Sequence, residues 1–106
     1  MRKIVINRLK SVVGCAGKIN IYSIDKIEEN KIITKDMCAY LGSIKNGMNL
    51  EAEIPEEEIT IIAAYDNLGV FMITDILVIP NGCEDIRLYG KTKLNPFKGN
   101  PFKFIW

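Results

Sequence analysis

Apolar and polar positions alternate along much of this chain, and the alternation is clearest at Met48-Asn49-Leu50-Glu51-Ala52-Glu53-Ile54. There Met48, Leu50, Ala52 and Ile54 point one way, and Asn49, Glu51 and Glu53 the other, as a period of two requires in a half-buried strand. Asn46-Gly47 precedes this run, and a shorter apolar run ending at Lys45 precedes the turn. Asn-Gly between two such runs predicts a β-hairpin, because its turn positions favour positive φ.

The same pattern predicts strands elsewhere. Arg2 to Arg8 places Ile4 and Ile6 on one face, and Lys18 to Ile24 sets Ile19 and Ile21 against Lys18, Asn20 and Tyr22. Residues 39–45 read as a strand, with at most one helical turn before them. Ile59 to Tyr65 is rich in β-branched residues, and Glu84 to Tyr89 follows the turn Pro80-Asn81-Gly82. Val70 to Ile79 is nearly continuous in apolar residues, which predicts a central strand covered on both faces. Loops are expected at Ser11 to Gly17 and at Glu28-Glu29-Asn30, and turns at Pro55-Glu56-Glu57 and Asp66-Asn67-Leu68-Gly69. Repeated short strands with this punctuation define the expected fold class: one all-β domain over residues 1–106, an antiparallel, immunoglobulin-like sandwich of about seven or eight strands. Its predicted core is Ile4, Ile6, Ile19, Ile21, Leu50, Ile54, Ile59, Ile61, Phe71, Ile73, Ile86 and Leu88. The N- and C-terminal strands are the expected edges. Lys3, Arg8, Lys98 and Lys103, with Pro96 and Pro101, would block pairing there.

Charge adds a second pattern. The net charge is only +1, which argues against a general polyanion binder. Yet residues 1–45 carry nine basic and four acidic side chains, residues 46–86 nine acidic and no basic, and residues 87–106 five basic and no acidic. Acidic middle strands lying beside basic flanking strands would be held by cross-strand attraction.

Candidate chemistry is sparse. The chain has no histidine, so it lacks the commonest general base and metal ligand. Glu56-Glu57-Glu58 lies in a predicted turn, where carboxylates are solvated rather than poised for acid–base work. Together with Glu51 and Glu53 it makes no specific metal site. Cys15, Cys38 and Cys83 are an odd number at wide spacing, which fits neither a disulfide framework nor a Cys-x-x-Cys site and points to reduced thiols in a cytoplasmic protein. Cys15 sits in Gly14-Cys15-Ala16-Gly17-Lys18; Lys18 favours a thiolate, but the expected role is a small buried side chain. No enzymatic activity, cofactor or metal is expected. No apolar run approaches the length that crosses a bilayer as a helix.

The tail repeats Asn95-Pro96-Phe97-Lys98 as Asn100-Pro101-Phe102-Lys103 and ends Phe104-Ile105-Trp106. Phe97, Lys98, Phe102, Lys103, Phe104 and Trp106 form the candidate interaction surface. Lys91, Lys93, Lys98 and Lys103, interleaved with Phe97, Phe102, Phe104 and Trp106, are also what a single-strand nucleic-acid groove needs. The alternation of Phe102, Phe104 and Trp106 fits a core-facing strand, and that reading is preferred to nucleic acid because the rest of the chain is acidic. The expected partner is therefore a protein, with a weak homodimer through the tail from about Asn95 as a specific form.

Ile4, Ile6, Ser11, Val13, Gly14, Ile21, Tyr22, Gly42, Ile44, Asn46, Gly47, Pro55, Glu56 and Ile61 form an ordered pattern over roughly the first two-thirds of the chain. This pattern resembles the small bacterial β domains of the PEGA-like group. It departs from them where Asp25-Lys26 and a longer insertion replace the usual Asp-Gly, and where Pro55-Glu56-Glu57-Glu58-Ile59 replaces the Pro-Glu-Gly-x-His turn. The resemblance implies a compact immunoglobulin-like sandwich acting as a non-catalytic interaction or scaffold module. The alternative is a small-ligand or single-strand-binding barrel that uses the basic, aromatic tail.

Overall fold

A computed structural model describes residues 1–10, 17–25, 32–67, 69–92 and 102–106. The loop around Cys15, the turn at Glu28-Glu29-Asn30 and tail residues 93–101, including Phe97 and Lys98, lie outside the described residues. The strands are β1 (Arg2–Arg8), β2 (Ile19–Ile24), β3 (Ala39–Ile44), β4 (Asn49–Ile54), β5 (Ile59–Asn67), β6 (Val70–Ile79), β7 (Ile86–Thr92) and β8 (Phe102–Ile105). One 3₁₀ turn, Lys35–Met37, precedes β3, as expected. No helix among the described residues is long and apolar enough to cross a membrane.

The strands form two four-stranded sheets, ordered β4-β1-β7-β8 and β3-β2-β5-β6. Their facing sides share one core of Ile4, Ile6, Ile19, Ile21, Ile44, Ile54, Ile59, Ile61, Ala63, Ile79, Leu88 and Phe102. The sheets are not wholly antiparallel: β1 runs parallel to β7, with Ile4 opposite Ile86 and Ile6 opposite Leu88. Alternation fixes which face a residue occupies but is silent on the direction of its neighbour.

Asn46-Gly47 does turn the chain, with Gly47 at φ +74° and the Met48 amide donating to the Lys45 carbonyl at 3.0 Å. It does not make a hairpin. β3 belongs to one sheet and pairs with β2, while β4 belongs to the other and pairs with β1. The turn is a corner between sheets, and Met48 lies outside β4 and exposed. A two-residue turn reverses direction; the hydrogen-bond partner of each strand is decided by the rest of the fold.

Two further expectations are corrected. β1 is central, not an edge, and Arg8 is no edge-blocking charge. Arg2, Ile4, Ile6 and Arg8 all face inward, and the two arginines are 3% and 2% exposed. Their aliphatic stems extend the core while their guanidinium groups bind backbone oxygens at opposite ends of β1. Arg2 donates to the carbonyls of Pro55 (3.1 Å), Glu57 (3.4 Å) and Pro80 (2.7 Å). Arg8 donates to the carbonyls of Gly17 and Ile44, both at 2.8 Å, and approaches Thr92 Oγ1 at 3.4 Å.

β6, expected to be central, is an edge strand, with Val70, Met72, Ile76 and Val78 all 41–57% exposed. Its apolar run serves two different surfaces. Leu77 and Ile79 reach the shared core. Phe71 and Ile73 instead join Tyr22, Ile24, Ile62 and Ala64 in a second cluster, against which Ile33 and Cys38 pack. A register shift between Ala63 and Ala64 lets one strand supply both sets.

Candidate basic face on sheet β4-β1-β7-β8

The outward residues of this sheet follow from its register. On β4 they are Asn49, Glu51 and Glu53, and on β1 Lys3, Val5 and Asn7. On β7 they are Arg87, Tyr89 and Lys91, and on β8 Lys103 and Ile105. The face therefore runs from carboxylates at the β4 edge to cations at the β7–β8 side. With strands about 4.8 Å apart, that polarity develops across roughly 15 Å. This is the charge segregation of the sequence, expressed in space.

At the acidic edge the charges satisfy one another. Lys3 Nζ lies 2.8 Å from Glu51 Oε1, and the hydrogen bond and charge of Glu51 hold the Lys3 pKa above its ordinary value. Asp85 adds a bond from the Lys3 amide at 2.9 Å. At the basic side the arrangement differs. Lys91 lies directly opposite Lys103, and like charges so placed destabilise a sheet. Lys103 comes no nearer a carboxylate than 4.0 Å from Asp75, and Lys91 has none within that distance among the described residues. Beside them, Tyr89 lies opposite Ile105, and the two are 43% and 44% exposed.

Asp75 positions β8. Its Oδ2 accepts from the Phe104 amide at 2.8 Å and its Oδ1 from the Ile76 amide at 2.9 Å. One carboxylate on the β6 edge thus clamps the β8 edge of the opposite sheet. It is the only charge in the apolar run 70–79, a signal visible in the sequence though its partner is not.

The four predicted interaction residues that are described, Phe102, Lys103, Phe104 and Trp106, do not gather at one place. Phe102 is fully buried in the core, because its ring crosses Gly90 and meets Phe104 edge-on at 5.6 Å. Phe104 is half-buried, facing inward. Lys103 alone stands on the outer basic face. Trp106 is 60% exposed and lines an end cleft with Pro80, Gly82, Glu84 and Ile86. The residues missed were Arg87, Tyr89 and Ile105; Lys91 stood in the sequence only among the candidate nucleic-acid cations. Arg87 and Tyr89 were legible as the polar half of the Ile86, Leu88 alternation; Ile105 required knowing that β8 pairs with β7.

No group of three or more acidic, cysteine or histidine side chains that could hold a metal occurs among the described residues. No protein-family model matches the chain, and no match emerges among curated proteins or solved structures.

Proposed function

We propose that the protein is a non-catalytic interaction module that docks an acidic protein surface onto Arg87, Tyr89, Lys91, Lys103 and Ile105. The observation that carries this reading is the Lys91–Lys103 pair. Two opposed lysines weaken the sheet, and a partner carboxylate would relieve that cost. Exposed Tyr89 and Ile105 beside them supply apolar contact within a charged rim. The reading extends to kinship with immunoglobulin-like modules of the PEGA-like group, supported by the two face-to-face sheets and the sequence pattern, and to a cytoplasmic setting, supported by cysteine usage.

The test compares captures from host lysate with the native chain and with Arg87→Glu/Lys91→Glu. Both substitutions are exposed, so the fold should persist. A set of acidic proteins retained by the native chain and lost by the variant supports the reading. Unchanged capture refutes it.

Single-strand nucleic-acid binding is a second reading, favoured by the same cations around Tyr89. A labelled oligonucleotide bound by the native chain, released by salt and lost in the Lys91→Glu variant would decide for it.

A further inference from the structure

The outer face of the sheet β4-β1-β7-β8 is polar along its diagonal, not only from strand to strand. Glu51 lies opposite Val5, and Val5 opposite Arg87, so these three share one level. Toward the start of β1, Lys3 lies opposite exposed Glu53, and its amide donates to exposed Asp85 at 2.9 Å. Glu51 reaches the same ammonium at 2.8 Å, so this corner sets three carboxylates around one lysine and keeps a surplus of negative charge. Toward the other end, Asn7 and Ile105 flank Tyr89, and beyond them Lys91 opposes Lys103. Together with Arg87 these lysines give the opposite corner a surplus of positive charge.

Such a face is complementary to itself. A two-fold axis lying in the plane of the face, at right angles to the diagonal, turns a second copy over onto the first. Each carboxylate corner then meets the cation corner of the other copy, and the middle of the face meets its own counterpart. A contact of this kind is isologous and closes at two copies. Half-buried Val5 and Tyr89, 43% exposed, supply an apolar middle within a charged rim. A foreign acidic surface broad enough to cover the face would be repelled by Glu51, Glu53 and Asp85, whereas a second copy brings cations to them. Strand spacing and rise make the face about 20 Å on a side, or about 400 Å² in projection from each copy. With the relief of the side chains, the total buried comes to about 1,000 Å², the size of a weak, reversible association.

We propose that the acidic surface docked on the basic face is that of a second copy of this chain, the Glu51–Glu53–Asp85 corner of each copy lying on Arg87, Lys91 and Lys103 of the other. The inference rests on the basic face being a docking surface and names its occupant.

The test is sedimentation equilibrium of the full chain with a charge swap. The native chain should approach twice its own mass with a Kd of roughly 30–300 μM, weakened about tenfold or more in about 0.5 M salt. Glu51→Lys/Glu53→Lys and Arg87→Glu/Lys91→Glu should each self-associate at least about tenfold more weakly, because like corners then meet. An equal mixture of the two variants should dimerise again, since every contact once more joins opposite charges. Amide NMR spectra of the native kind establish that both variants are folded. The proposal is overturned if the native chain remains a monomer at about 1 mM, if either folded variant dimerises as tightly as the native chain, or if the mixture of folded variants stays monomeric. A monomeric native chain that still captures acidic proteins through Arg87 and Lys91 overturns this inference and leaves the docking role of the basic face standing. A capture and a mass both unchanged by Arg87→Glu/Lys91→Glu overturn the two together.

Discussion

Replacing Phe102 by alanine tests whether the C-terminal strand belongs to the core. The ring has no exposed surface, packs edge-on against Phe104 and has the Arg8 guanidinium 5.9 Å from its centroid. Truncating a fully buried phenylalanine costs about 3–5 kcal/mol, from lost transfer energy and the cavity left behind. A domain of this size has a stability of only about 5–15 kcal/mol, so the change removes a large fraction of it. With a urea m-value of about 2 kcal/mol/M, the midpoint should fall by about 2 M. Gly90 supplies the control. A Cβ there would collide with the tip and edge of the Phe102 ring, so Gly90→Ala should cost about 1–3 kcal/mol by overpacking. In the Phe102→Ala background the collision disappears, and the double variant should be more stable than additivity predicts by roughly 1–2 kcal/mol. Urea unfolding followed by far-ultraviolet dichroism measures all four proteins. A Phe102→Ala loss below about 1 kcal/mol, or strict additivity with Gly90→Ala, would refute the packing of β8 over Gly90.

Other consequences follow from single side chains. Arg2→Lys should lower stability by roughly 1–3 kcal/mol in chemical denaturation, since one ammonium cannot replace the guanidinium fork on Pro55, Glu57 and Pro80. Asp75→Ala should loosen β8 while leaving β1 intact; hydrogen exchange should quicken at Phe104 and stay slow at Ile6. Peptide mapping after brief iodoacetamide treatment should find exposed Cys83 alkylated before Cys38, whose thiol is held protonated first by burial and then by the charge of Asp36. Because its folded pKa is raised, Cys38 should make the fold lose stability as pH climbs past the ordinary thiol range. Cys38→Ala should flatten that slope in denaturation curves taken on either side of it.

What the sequence disclosed and what it hid divide along a physical line. Ile4 and Ile6, Ile19 and Ile21, and Ile59 and Ile61 were legible as core because strand periodicity is local. The site of the Asn46-Gly47 turn was legible for the same reason. Its partners were not: β3 and β4 separate into different sheets, and Ile4 finds Ile86 near the other end of the chain. Such pairings are chosen by the whole core. The apolar run of β6 misled because apolar content resembles two-sided burial, whereas here it feeds two separate clusters across a register shift. Arg8 looked like an edge charge by type, and Arg2 drew no reading beyond the start of a strand. Their positions, two residues either side of Ile4 and Ile6, already placed them on the inward face. The basic face was half legible: the charge blocks were plain, but bringing Lys91 opposite Lys103 required the β7–β8 register.

Everything proposed for the basic face rests on β1 lying between β4 and β7, and β7 between β1 and β8. Interstrand proton contacts by NMR measure this directly. The account predicts contacts of Val5 with both Glu51 and Arg87, of Tyr89 with both Asn7 and Ile105, and of Lys91 with Lys103, with no ladder between β3 and β4. A ladder joining residues 39–44 to 49–54 as a hairpin, with Arg2–Arg8 at an edge, would contradict it and scatter the cations that the proposed docking surface requires.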